Sequence, residues 1–106
     1  MEKIKVIIKR PDERKGHVTF ISNTLENLQR TVGGPIEVFR FASDCAIICN
    51  EEGKIQGLEP NCVCVGELFV GDIIVVGIDG SEFCDVPESA LEMWRKRVLF
   101  QSVEGW

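Results

Sequence analysis

Lysines alternate with Ile and Val in "KIKVIIK", residues 3–9, broken only by the apolar Ile7. A period of two puts Ile4, Val6 and Ile8 on one face and Lys3, Lys5 and Lys9 on the other, as in a half-exposed strand. Lysines along such a strand also discourage unwanted pairing, which suits a place near a sheet edge. "PDERKG" (11–16) reads as a loop and "HVTFIS" (17–22) as a second short strand. The period then changes. In "NTLENLQRTVGG" (23–34), Leu25, Leu28 and Val32 recur at helical spacing. Asn23 is the expected N-cap, with Glu26 three residues on as its partner, and Gly33 suits a left-handed C-cap.

Two later runs, "CAIIC" (45–49) and "DIIVVGI" (72–78), are apolar on both faces and read as central strands. "IEVFRFA" (36–42) precedes the first across a tight "SD" connection, and "DG" (79–80) marks a hairpin into "SEFCDV". The last element reads as a helix. Asp85 can cap it, Pro87 suits its first turn, and Leu91, Trp94 and Val98 form a stripe directed at the sheet. Between the central runs lies "NEEGKIQGLEPN" (50–61). "NEEGK" reads as a hairpin turn, with a left-handed Gly53 and Lys54 resuming the strand, and "GLEPN" as a second turn. The order predicts an α+β fold, a mostly antiparallel sheet of about five or six strands with two helices on one face. Residues 1–101 make one domain, and 102–106 a tail in which Trp106 could anchor a neighbour.

Charge changes this picture more than composition does. The net charge is -5, but residues 1–15 hold six basic and three acidic side chains, residues 37–92 two basic and twelve acidic, and residues 93–106 three basic and one acidic. Polynucleotide binding needs a basic stripe, which the acidic middle opposes. A small anion needs only two or three well-placed cations. No apolar run approaches the ~18 residues of a membrane span. The charged, alternating start does not resemble a leader, so a cytoplasmic protein is expected.

The five cysteines are Cys45, Cys49, Cys62, Cys64 and Cys84. Their spacing departs from zinc knuckles, and the first four sit in apolar runs. Buried free thiols are the favoured reading, with a disulfide or zinc as alternatives, so no metal or cofactor is assigned. Catalytic equipment is sparse: one His, no Tyr, no nucleophile elbow, and a Gly53-Lys54 pair that lacks the rest of a phosphate loop. Glu51 and Glu52 would repel a phosphate there. No catalytic residue is assigned, and an enzyme is not expected.

"VGGPIEV" (32–38), "NEEGKIQGLEPN" and "VGDIIVVG" (70–77) occur in this order, with "NTLENLQ" upstream. Together they resemble the domain-of-unknown-function family 3846 of tailed phages, plasmids and other mobile elements, over roughly residues 20–100. The family implies no catalytic residues to carry over. It implies a setting in which small proteins act by binding: sequestering a nucleotide-like immune signal, of cyclic nucleotide or cyclic ADP-ribose type, or sitting on a host protein.

A pocket for such a signal needs cations, amides and aromatic walls. The candidates are Arg40, Lys54 and Arg97 for phosphates, Asn50 and Asn61 for base edges, and Trp94 for stacking. Each has a plainer alternative. The asparagines can stabilise turns. Arg40 can be a solvated strand residue, and Arg97 can answer the helix dipole. The expectation is a non-enzymatic binding protein and a homo-oligomer, since a small domain makes a deep pocket most readily between subunits; the alternative is an inhibitor or adaptor on a host protein.

Overall fold

The computed structural model describes residues 2–103; the expected Trp106 anchor lies outside them. Eight strands and three helices follow in the order β1 (Lys3–Lys9), β2 (His17–Ser22), α1 (Leu25–Val32), β3 (Ile36–Ala42), β4 (Cys45–Asn50), α2 (Gly53–Gln56), β5 (Pro60–Cys64), β6 (Glu67–Val70), β7 (Ile73–Asp79), β8 (Glu82–Cys84) and α3 (Glu88–Arg95). The main sheet runs β2-β1-β7-β4-β3, with β8 also on β7, and every pairing is antiparallel. β5 and β6 form a separate two-stranded hairpin. The fold is α+β, as the sequence predicts. Among the described residues, no helix is long and apolar enough to cross a membrane.

The alternation within β7 explains the layers. Ile73 and Val75 face one way, with Ile7, Ile47, Cys62, Phe69 and Leu91. Ile74 and Val76 face the other way, with Val6, Ile48, Leu28 and Val32. The helices therefore lie on opposite faces, correcting the one-face expectation: α1 covers one face, α3 and the β5–β6 hairpin the other. A doubly covered sheet needs strands apolar on both faces, which β4 and β7 supply. Burying each such Ile or Val contributes roughly 1.5–3 kcal/mol.

Double coverage also overturns the reading of β1. It lies inside the sheet between β2 and β7, so β2 takes the edge. Lys9 shares the face of Ile7 and is only 4% exposed, not directed at water.

The helix ends differ from expectation too. Thr24, not Asn23, caps α1: its hydroxyl oxygen accepts from the Asn27 N–H at 3.2 Å, while Asn23 Nδ2 donates to the Phe83 carbonyl. Gly33 takes the predicted left-handed cap, φ 84°. Asp85 does not cap α3; its carboxylate accepts from the Lys5 N–H at 2.8 Å. Helix α3 ends at Arg95, and Arg97 adopts φ 61°. The chain therefore turns before Val98 can continue the Leu91–Trp94 stripe, leaving Val98 56% exposed while Leu99 is buried.

"NEEGK" is not a hairpin turn. Gly53 begins the one-turn α2, Lys54 is helical, and Gly57 supplies the left-handed residue, φ 72°. Asn-Glu-Glu-Gly between apolar runs suggests a hairpin because it carries the same turn residues that a short helix uses at its ends.

Candidate functional site

One concavity has a volume of about 490 Å³. Its walls are residues 11–15 of the loop between β1 and β2, the start of β5, Trp94 on α3, and the segment 97–103. Lys9, Arg14, Lys15 and Arg97 line it, against Asp12 and Glu13 as the acidic residues. In a chain of net charge -5 this is a local excess of positive charge. It forms because the two basic ends of the sequence meet. Trp94 Nε1 donates to the Lys15 carbonyl at 2.6 Å, and Gln101 and Val63 exchange backbone hydrogen bonds of 2.8 and 2.9 Å.

Lys9 organises the inner wall. Its Nζ donates to Asn61 Oδ1 at 2.9 Å and to the Glu13 carbonyl at 2.8 Å, with the Arg10 and Asn61 carbonyls at 3.4 and 3.5 Å. The Phe100 ring centroid lies 6.0 Å away. All four hydrogen-bond acceptors are neutral oxygens, so the ammonium is solvated without a directly bound counter-ion. Burial pushes the Lys9 amine below its ordinary pKa, with Cys62, Glu13 and Asp12 pulling the other way. A positive charge held by neutral dipoles in a partly dry wall attracts anions more strongly than one in water.

The loop above Lys9 is held along its length. Glu13 accepts from the Arg10 N–H at 3.0 Å and lies 2.8 Å from His17 Nδ1. Burial raises the Glu13 carboxyl, but the hydrogen bonds from His17 and Arg10, with their charges, outweigh it and leave the group below its ordinary pKa. Gly16 closes the loop at φ 78°, where a Cβ would stand 2.6 Å from the Ile8 carbonyl oxygen. Lys15 Nζ lies 4.6 Å from the centroid of the Trp94 ring. Among the described residues, no side-chain hydrogen bond or ion pair engages Arg14 or Arg97, so both guanidiniums remain available.

The six candidate residues do not share one site. Asn61, Trp94 and Arg97 line this cavity. Asn50 and Lys54 line a second, smaller hollow of about 150 Å³ among Glu37, Glu51 and Glu67, where Lys54 lies 3.8 Å from Glu67. That acidic surround disfavours a phosphate. Arg40 is exposed elsewhere, its Nη2 3.4 Å from the Gly80 carbonyl. Arg97 lies two residues past the end of α3, its N–H donating to the Trp94 carbonyl at 3.0 Å.

Both asparagine amides are committed within the fold. Asn50 Nδ2 donates to the Val32 carbonyl and its Oδ1 accepts from the Glu52 N–H. Asn61 Nδ2 donates to the Lys9 and Gly71 carbonyls at 2.8 and 2.7 Å. Asn61 thus shapes the cavity by holding Lys9 and does not present a free amide to it. The sequence reading missed Lys9, Arg14 and Lys15. Their signal was the basic excess of residues 1–15, which linear order left unconnected to residues 93–97.

The cysteines take no part in this arrangement as reactive groups. All five are free thiols, and no metal-binding cluster of His, Cys, Asp or Glu occurs among the described residues. Burial pushes Cys45 and Cys62 up to about 12 and Cys49 and Cys64 up to about 11. Such thiols stay protonated near neutrality and behave as small apolar side chains.

The family model described as "Domain of unknown function (DUF3846)" matches residues 4–99. No curated protein and no solved structure matches the chain.

Proposed function

The chain belongs to the DUF3846 family, and we propose that it is a non-enzymatic binding protein that sequesters a small, anionic, nucleotide-like signal. In the mobile-element setting that the sequence resemblance implies, its role is to lower the free concentration of a host immune signal. The observation that carries this reading is one cavity joining Lys9, Arg14, Lys15 and Arg97 to the Trp94 and Phe100 rings. Cations answer phosphate charge, and aromatic faces accept bases in a sequence-tolerant way. The volume of about 490 Å³ falls within the range of small-molecule sites.

Native mass spectrometry with a thermal-shift panel of cyclic dinucleotides, cyclic trinucleotides and cyclic ADP-ribose isomers tests the proposal. A bound member present at a hundred times its dissociation constant adds about 2.7 kcal/mol of stability and is recovered chemically intact. A panel with no binder refutes the signal-sequestering role, and an altered product refutes the non-enzymatic one.

A second reading, an adaptor on a host protein, is favoured by a different observation. Ile55 on α2 and Val65 at the β5–β6 turn are 89% and 62% exposed. Ile55 follows Lys54 in the chain, and Val65 stands two residues before Glu67, the ion-pair partner of Lys54.

A further inference from the structure

We infer that the Lys15 ammonium occupies the place of the ligand's aromatic ring on Trp94, so that the site selects ligands that carry both a ring and an anion. The inference rests on the proposed nucleotide-binding function and names how that site would choose its ligand. Lys15 and Trp94 both line the cavity. The two are joined by separate contacts. The indole Nε1 donates to the Lys15 backbone carbonyl at 2.6 Å, while the ammonium lies 4.6 Å from the ring centroid.

The first contact belongs to the backbone and fixes the ring against the loop. That loop is fixed in turn by Lys9 Nζ on the Glu13 carbonyl and by the close approach of Gly16 to Ile8. The second contact belongs to a flexible, exposed side chain. The ammonium can therefore leave while the ring stays.

A ligand ring that stacks on this face must displace the ammonium and forfeit its cation–π attraction. A neutral ring gains the stacking contact but nothing that offsets that loss. A ring bearing phosphate recovers it, because the displaced ammonium becomes a charge-assisted hydrogen-bond donor to the anion beside Arg14 and Arg97. Lys15 thus opposes neutral nucleosides and favours nucleotides with a single side chain.

The test is isothermal titration of adenosine, AMP, guanosine and GMP into the full chain and into Lys15→Ala. The substitution keeps the backbone carbonyl that receives the Trp94 N–H. For at least one purine, wild type is expected to prefer the nucleotide. In K15A that nucleotide binds about tenfold more weakly, and its nucleoside about threefold more tightly. Equal loss for both, no change, or a nucleoside weakened by the substitution overturns the inference. Silence of all four compounds with both proteins also overturns it. If a cyclic signal binds in the thermal-shift panel while these purines are silent, only the inference about Lys15 falls; if both are silent, the binding function falls with it.

Discussion

Asn61 looks in sequence like a turn residue or a ligand-reading amide, and in the structure it is a buried clamp. At 5% exposure it uses both amide protons on backbone carbonyls and its oxygen on the Lys9 ammonium. Asn61→Ala leaves two carbonyls and a cation short of partners, so it is expected to lower stability by about 3 kcal/mol. Urea denaturation measures this, and an unchanged midpoint would show that Asn61 is not structural. The Lys9 misreading has a similar origin. Alternation in "KIKVIIK" distinguishes the two faces of a strand but does not reveal whether a second layer covers the polar one. Here the residue opposite in chemistry to its surroundings sits beside Cys62 and under Glu13, on elements far away in sequence or on the loop that follows it.

Elements whose pattern is self-contained were legible. β4 and β7 announce burial on both faces, and the β3–β4 and β7–β8 connections announce hairpins, all as found. The elements that sequence reasoning missed, α2 and β6, have only four residues each. So short a span holds one helical turn or two residues per strand face, too few for periodicity to register.

The β5–β6 hairpin has a second feature that hides it. Cys64 pairs with Glu67 across a two-residue turn, and that turn is Val65-Gly66 at φ 52° and 77°. Such a turn favours Asn-Gly, and a β-branched residue in the left-handed region is strained. Val65→Asn is therefore expected to raise stability by about 1 kcal/mol, read as a higher urea midpoint. A lower midpoint would mean that Val65 makes contacts worth more than its backbone strain.

At the scale of the molecule, the acidic middle and the basic ends acquire a spatial meaning. The sheet places the residue 9–15 stretch beside Trp94 and the 97–103 segment, so two modest basic clusters become one cavity wall. Linear charge counting showed both clusters and the acidic stretch between them, but the convergence depends on β1 lying in mid-sheet and on α3 crossing the same face. Of the expected ligand residues, the fold gathers Asn61, Trp94 and Arg97 here and leaves Arg40, Asn50 and Lys54 elsewhere.

Titration calorimetry of a binder from the cyclic-nucleotide panel, with wild type, Arg14→Ala and Arg97→Ala, tests this convergence most directly. Both arginines are exposed and lack side-chain hydrogen-bond or ion-pair partners among the described residues, so neither substitution should alter the melting temperature appreciably. Each should weaken binding about tenfold or more, because each removes a charged donor from the anion. A panel member that binds with the same affinity after both substitutions, or no binder at all, would contradict the cavity as an anion site.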